Sequence, residues 1–339
     1  MDALAVPRAA RRAGRRLGRR ARLEADWLGT RRGRADLALF HEFEPSPSGG
    51  GHQFLRALCA ELERRGLTLE VNRLSAGTTA CLFNSFNFDF MRLRRFERAG
   101  VRMAHRVDGP IGVYRGYDDG TDRRIVELNA EFADATVLQS RYSLAKHAEL
   151  GLALRNPTVI QNTVDPALFH PPPEVAPLGD RRVRVIATSW SDNPRKGADT
   201  LAWLDGRLDR QRYELTFVGR APRALEHTRV VGPATSHVLA RLLREHDVYL
   251  APSRDDPCSN ALLEALACGL PAVYRRSGGH PELVGDGGIE FDTDEEIPEA
   301  LDRLVAEHAD RRAAISVPAI ETVADRYLEV LGIAAGDRA

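Results

Sequence analysis

The sequence predicts an α/β protein in which two Rossmann-like domains face each other across a cleft. The chain has 339 residues, which suits two domains of roughly 150 residues each. Short apolar runs alternate with helical patterns, and a proline-rich stretch, 166–177, interrupts the alternation near the middle. Because ligands bind at the carboxyl ends of the strands in such sheets, we expect the loops that follow the strands to form the site.

The first half of the chain shows strands alternating with helices. The apolar run 35–40 suits a buried parallel strand, and a glycine-rich loop leads from it into a helix over 53–65. The apolar residues of that helix fall on one face at 3.6-residue spacing. Further strands are predicted at 67–71, 80–83, 102–105, 134–138 and 158–160.

The alternation restarts after the prolines. Strands are predicted at 183–187, 213–218, 229–231, 248–251 and 272–274, and helices at 236–245 and 260–267. Residues 294–335 are predicted to be helical and to pack back across the structure. We therefore divide the chain into a basic extension, 1–34, an N-terminal domain, 35–170, a C-terminal domain, 171–310, and returning helices, 311–339.

Composition excludes several classes of protein. The formal net charge is zero, so the chain has no strong overall field for nucleic acid. No apolar run approaches the roughly 20 residues that span a bilayer. The four cysteines follow no metal-binding spacing and are too few for a disulfide scaffold, so we expect a cytoplasmic protein without a structural metal.

Residues 1–34 are strongly basic, with eleven arginines against three acidic residues. The arginines interrupt every candidate apolar stretch, so the segment is not a signal peptide. Two interpretations remain open. The segment is either a basic helix that contacts an anionic membrane surface, at the inner face of the membrane, or an arginine-rich extension without fixed structure.

The strongest functional signal lies in residues 253–288, where seven residues separate Asp256 from Glu264. A carboxylate can accept two hydroxyl hydrogen bonds at once, which suits a vicinal diol. The segment resembles the Glu-x7-Glu motif of retaining GT-B glycosyltransferases of family 4, with aspartate at the first position. The resemblance implies that Glu264 binds the ribose hydroxyls of the sugar donor and that Asp256 lies near the transferred sugar.

The loop that follows the strand 272–274 contains Gly279 and Glu282. It resembles a glycine-containing loop of the same family, whose backbone approaches the ligand closely. The resemblance implies that Gly279 lies at the donor site. For Glu282 two roles remain open, a contact near the nucleotide base or a cap on the helix that follows.

The loop 188–197 resembles the family segment that ends in Lys-Gly and binds the donor diphosphate. Only two of the 48 basic residues are lysines, Lys146 and Lys196, so a lysine here suggests a role that arginine does not fill. The resemblance assigns Lys196 to the diphosphate. Arg195 is the available substitute for the family's arginine, which normally lies several residues earlier. Gly219 matches a strand-end glycine of the nucleotide site.

The N-terminal half supplies the remaining candidates. The glycine run that includes Gly50 and Gly51 resembles the family's N-terminal glycine loop, which offers amides to an anionic group. It does not match the dinucleotide fingerprint, which disfavours a dehydrogenase. His105 and Asp108 follow the strand where the family commonly carries a histidine near the reacting sugar, and the resemblance makes both catalytic candidates.

The resemblance implies transfer of a sugar from a nucleotide-sugar donor to a glycan, lipid or small-molecule acceptor, with retention and without a metal or other cofactor. Cations and amides would then stabilise the departing diphosphate. Two alternatives remain open. One is a nucleotide-sugar epimerase of GT-B fold, which needs no acceptor. The other is a non-catalytic nucleotide- or glycan-binding relative, which the aspartate at 256 and the displaced arginine make conceivable.

Overall fold

The computed structural model describes residues 33–43, 50–85, 88, 90, 93, 100–175, 177–221 and 224–334. Within them the chain forms two parallel six-stranded sheets with helices on their faces, which confirms the predicted two-domain α/β architecture. Residues 1–32 lie outside the described part, so the membrane contact assigned to the basic extension stays a prediction. Among the described residues, no helix combines the length and apolar character needed to cross a bilayer.

The N-terminal sheet has the strand order β2-β1-β3-β4-β5-β6, and all neighbouring strands are parallel. β1 and β3 are buried along their whole length, because helices cover both faces of the sheet. Strands β1 to β6 span Leu37–Phe40, Leu69–Val71, Ala80–Asn84, Arg102–Val107, Ala135–Leu138 and Pro157–Val159. Helices α1 to α4 span Gly50–Arg64, Ile111–Arg115, Thr121–Phe132 and Arg141–Glu149.

The C-terminal sheet has the order β12-β11-β10-β7-β8-β9, again with parallel neighbours. β7 lies between β10 and β8, so the loops after β7 and β10 leave neighbouring strands at the same edge. Strands β7 to β12 span Val183–Ser189, Tyr213–Gly219, Arg229–Val231, Val248–Ala251, Ala272–Arg275 and Gly288–Phe291. Helices α5 to α10 span Ala198–Asp205, Ser236–Arg244, Asn260–Ala267, His280–Val284, Ile297–Ala306 and His308–Ala313.

The final helix, α11 (Ile320–Leu331), packs on the N-terminal domain, as the sequence predicted. Tyr327 and Leu331 of α11 are buried in one cluster with Leu37 of β1 and Phe54 of α1. The region predicted as continuously helical is instead divided into α9, α10 and α11. The return begins at α11, because α10 still contacts the turn Gly285–Gly287 of the C-terminal domain.

Candidate functional site

A cavity of about 370 Å³ lies between the two domains, at the carboxyl ends of both sheets. Five predicted site residues line it: Gly51, Asp108, Lys196, Asp256 and Glu264. Another depression, of about 390 Å³, includes Arg182 and Tyr213 and lies at the amino ends of β7 and β8. It is remote from the strand-end loops, so the inter-domain cavity is the candidate site.

Lys196 and Asp256 form an ion pair at the cavity, with Nζ 2.7 Å from Oδ2. They meet because their loops follow the neighbouring strands β7 and β10. Asp256 is 4% exposed, and its Oδ1 also accepts from the backbone N–H of Cys258 at 3.2 Å. Burial alone would favour the neutral forms, but the mutual attraction outweighs it, so the pKa of Asp256 is lowered and that of Lys196 is raised. Both groups are therefore charged at neutral pH.

The Lys-Gly turn depends on a glycine. Gly197 has φ +85°, and a Cβ there would lie 2.5 Å from Cγ of Pro252. The turn brings Nζ of Lys196 within 5.0 Å of the Tyr114 ring centre, on the opposite domain. The lysine therefore lies where the two domains meet.

Glu264 lies in the second turn of α7, whose N-cap Ser259 accepts from the backbone N–H of Leu262. Its side chain lines the cavity, and the residue is only 6% exposed. Burial raises its pKa to about 8. Among the described residues, no side chain or backbone N–H donates to its carboxylate. A buried carboxylate without a donor is costly, so this group is suited to a ligand that brings hydroxyl donors.

Arg195 does not line the cavity, contrary to the expectation that it binds the diphosphate beside Lys196. Its guanidinium forms an ion pair with Asp255. The other oxygen of Asp255 accepts from the Tyr142 hydroxyl of the N-terminal domain at 3.1 Å. Arg195 thus stabilises a contact between the domains.

Glu282 also lies outside the cavity, and it caps a helix other than its own. Its two carboxylate oxygens accept from the backbone N–H groups of Arg141 and Tyr142, each at 2.9 Å, at the start of α4. These amides point out of the helix N-terminus, where a negative charge is favourable. A residue of the C-terminal domain therefore holds a helix of the N-terminal domain.

We expect Glu282→Gln to loosen this cross-domain cap by about 1 kcal/mol, because the amide has one acceptor oxygen and no charge. Hydrogen–deuterium exchange should then quicken about fivefold in the first turn of α4. Glu299→Gln, at an exposed position of α9, is the matched control and should leave that exchange unchanged. Unaltered exchange in the Glu282 variant would show that the cap contributes nothing in solution.

His105 was expected near the reacting sugar, and this expectation is wrong. The residue is fully buried, and its ring stacks on Phe83 with centres 4.2 Å apart. Its Nε2 donates to the carbonyl oxygen of Ser85 at 3.0 Å, and its Nδ1 accepts from Asn129 at 3.1 Å. Burial lowers its pKa to about 3. His105 is a neutral structural residue that does not reach the cavity.

The predicted glycines have different roles. Gly51 lines the cavity at the start of α1, of which Gly50 is the first residue. Gly219 lies outside the cavity lining and keeps β8 close to β7, since a Cβ there would lie 1.8 Å from the carbonyl oxygen of Ser189. Gly279 also lies outside it, and its N–H donates to the carbonyl oxygen of Asp256 at 2.8 Å. Gly219 and Gly279 therefore hold the backbone segments around the cavity in place but do not themselves line it.

Several cavity residues were not identified from the sequence. His41 follows β1 directly, and His52 lies in the first turn of α1. The expectation that the loops after the strands form the site would also have identified His41, had it been applied to the loop after β1. We call this expectation the strand-end argument. Tyr114, in the short helix α2, and Trp190, in the loop after β7, also line the cavity, but a single aromatic residue at such a position carries no comparable signal. The described residues include no group of three or more His, Cys, Asp or Glu placed to hold a metal ion.

Comparison with known proteins finds a family match in the C-terminal domain. Residues 182–307 match the family model of "Glycosyl transferases group 1". A curated relative, the D-inositol 3-phosphate glycosyltransferase of Stackebrandtia nassauensis, is 35% identical over 161 residues. That alignment covers 45% of this chain and 31% of the relative. The chain thus matches less than a third of that relative's length.

Solved structures match almost the whole chain in fold. Sucrose-phosphate synthase from Thermosynechococcus elongatus superposes with a TM-score of 0.69 at 16% identity, covering 88% of this chain and 98% of that one. HepE of Anabaena, solved in complex with UDP-glucose, gives 0.65 at 18% identity, covering 87% and 99%. The chain therefore has the two-domain GT-B fold, and residues 182–307 of its C-terminal domain match the group 1 glycosyltransferase family model.

Proposed function

We propose that this chain transfers a sugar from a nucleotide-sugar donor to an acceptor hydroxyl, with retention of the anomeric configuration. Glu264 carries the proposal. It is a buried carboxylate at an inter-domain cavity, with a pKa raised to about 8 and no donor among the described residues. The two ribose hydroxyls of a nucleotide supply the missing donors. The family match and the UDP-glucose complex of HepE support the same assignment.

The departing diphosphate gains negative charge during transfer. Lys196 lies at the same cavity and supplies a positive charge that Asp256 already holds in place. The first residues of α7, Asn260 and Ala261, line the cavity as well, so the positive end of the helix dipole lies close by. These preorganised groups are proposed to stabilise the leaving group without a metal.

The N-terminal domain is proposed to hold the acceptor. Asp108 lines this side, where its carboxylate accepts from Arg106 at 3.0 Å and from the Ser85 hydroxyl at 3.2 Å. An acceptor hydroxyl can donate to the same carboxylate, while the leaving phosphate takes the proton as the new bond forms. Closure of the domains excludes water, which limits hydrolysis of the donor.

A thermal-shift panel tests the proposal with UDP, GDP, ADP and their sugar conjugates. One nucleotide should raise the melting temperature by roughly 5 °C at a hundred times its Kd. Its sugar conjugate should be turned over equally well with and without EDTA, and the anomeric proton coupling of the product should show retention. An epimerised sugar formed without acceptor would favour the epimerase. A nucleotide that binds without turnover would favour the non-catalytic relative, and no shift at all would contradict the donor site.

A further inference from the structure

Two loops of the C-terminal domain, those after β7 and β10, are joined by two adjacent ion pairs. The inner ion pair, Lys196 with Asp256, lies at the cavity. The outer ion pair, Arg195 with Asp255, lies outside the cavity lining. The backbone N–H of Arg254 also donates to the carbonyl oxygen of Arg195 at 2.7 Å. Because each member of the outer pair precedes a member of the inner pair in the chain, a movement of the outer pair displaces the inner one.

The N-terminal domain contacts both members of the outer ion pair. The Tyr142 hydroxyl, on α4, donates to Oδ1 of Asp255 at 3.1 Å. Gly116, which follows α2, lies against the guanidinium of Arg195, since a Cβ at this glycine would be 3.0 Å from Nε. The two side chains of the pair are 36% and 27% exposed, and an ion pair with such exposure is weak by itself. The contacts with the N-terminal domain therefore help to fix its position.

The same domain also contacts the loop that carries Lys196. Nδ2 of Asn193 donates to the carbonyl oxygen of Tyr114 at 2.9 Å. The Tyr114 ring lies against the Lys196 ammonium, as described above. These contacts exist only while the two domains are together. The position of the loop after β7 is therefore coupled to the closure of the domains.

The backbone of Asp255 is fixed in an uncommon conformation. Its φ is +53°, in the left-handed region that aspartate and asparagine enter more readily than most residues. Its N–H donates to Oγ of Ser277 at 2.9 Å, while its carboxylate has one partner in each domain. Such a conformation persists where the surroundings determine it. Asp255 is thus held in one orientation, and one of its three partners, Tyr142, belongs to the opposite domain.

We propose that Tyr142 is a positioning residue that, through the outer ion pair, couples closure of the domains to the placement of Lys196. The inference rests on the proposed glycosyltransferase function. Tyr142 does not line the cavity, so it acts through the pair and not on the substrate. In the closed protein the outer pair is held and the ammonium faces the diphosphate. When the domains separate, the pair loses its partner and the cation is no longer preorganised for the leaving group.

Tyr142→Phe tests the inference, because it keeps the ring and removes only the hydroxyl. The full chain is assayed with the nucleotide sugar that the thermal-shift panel identifies, and with glucose, mannose and myo-inositol as acceptors. We expect kcat to fall at least fivefold while the donor Kd rises less than twofold. The melting temperature should fall by at most about 4 °C, the effect of one hydrogen bond. Tyr117→Phe, at a position 61% exposed in the same domain, should behave as the wild type.

A second substitution shows whether the effect passes through the outer ion pair. Asp255→Asn suits the backbone conformation and keeps an oxygen for the Tyr142 hydroxyl, but its NH2 group cannot accept from Arg195. It should also lower kcat with little change in donor Kd. Combined with Tyr142→Phe, it should lower kcat no further than the more impaired single variant, because both changes interrupt one path. Losses that multiply in the double variant would contradict the inference.

Hydrogen–deuterium exchange tests the coupling without any substrate. In Tyr142→Phe the amide of Arg254, which donates to the loop after β7, should exchange at least threefold faster, whereas the amides of β8 should not change. Unchanged exchange, an unchanged kcat, or a donor Kd that rises as much as kcat falls would overturn the inference. A wild-type chain that neither binds nor consumes any nucleotide sugar would instead contradict the proposed function, and the exchange would still report on the coupling.

Discussion

Replacing Glu264 with glutamine should weaken donor binding while making the free protein more stable. Charged hydrogen bonds to the ribose contribute about 1.5–3 kcal/mol, so we expect the donor Kd to rise roughly 10- to 150-fold. In the wild type only the ionised carboxylate makes these bonds at full strength. Because its pKa is about 8 in the free protein, donor affinity should increase as the pH rises towards 8. Glu264→Gln should lack this dependence.

The gain in stability follows from the same burial. The folded protein holds the Glu264 pKa at about 8, well above the usual 4.5. The folded state therefore binds a proton that the unfolded chain has lost, and wild-type stability falls as the pH rises from 4.5 through 8. Near pH 9 the glutamine variant should be more stable by roughly 3–5 kcal/mol, and near pH 5 the two should be alike.

Urea unfolding at pH 5 and pH 9, with isothermal titration of the nucleotide, measures both effects. Glu299→Gln, exposed in the first turn of α9, should leave the affinity unchanged and lower the stability by at most about 1 kcal/mol at both pH values. Equal affinity in the wild type and the Glu264 variant would refute the ribose assignment. Lower stability of the variant at pH 9 would show that the carboxylate has a donor in the free protein.

Replacing Lys196 with methionine should have two effects: it should remove most of the transfer activity and it should destabilise the protein. Asp256 would remain buried without its counter-ion, at a cost of about 3–5 kcal/mol. The departing diphosphate would also lose the cation that is proposed to stabilise it, which is worth at least a hundredfold in kcat. Urea unfolding and steady-state kinetics measure the two losses.

A double variant separates these losses. Lys196→Met combined with Asp256→Asn removes both charges, so most of the stability should return while transfer stays absent. Lys196→Arg should keep the ion pair with Asp256 but shift the positive charge away from the diphosphate, because the guanidinium is longer and planar. We therefore expect kcat to fall with little change in stability. Recovery of transfer in the double variant would show that Lys196 only balances Asp256.

The strand-end argument found the centre of the site, because parallel sheets bring such loops together whatever their sequence. It placed Lys196 and Asp256 correctly at the cavity, although their ion pair depends on the adjacency of β7 and β10. It failed for His105, because β4 continues to Val107 and the histidine is inside the strand rather than at its end. Asp108, the first residue after that strand, does line the cavity.

Other predictions were wrong because they depended on three-dimensional geometry that the spacing of residues in the sequence does not encode. Residues 194–196 form a 3-10 turn, in which consecutive side chains point about 120° apart, so Arg195 and Lys196 cannot both face the cavity. Glu282 caps a helix 140 residues away, a contact that only the packing of the two domains determines. Helix α3 and strand β12 were not predicted, although Ile125, Leu128 and Phe132 of α3 fall on one buried face at helical spacing.

Helix α11 determines where the chain can be cut to obtain each domain separately. The chain passes between the domains twice, once through the linker after β6 and again before Ile320. Arg65, the residue after α1, donates to the carbonyl oxygen of Glu321, and Arg102 of β4 donates to that of Val330, so the helix is hydrogen-bonded to the N-terminal domain as well as buried against it. An N-terminal fragment that ends at the linker would therefore expose a large apolar face. Expressing the N-terminal domain alone would require residues 320–331 to be joined to it. A fragment that carries the C-terminal domain would have to begin before Val164, because Val164 and Phe169 are buried in that domain's core.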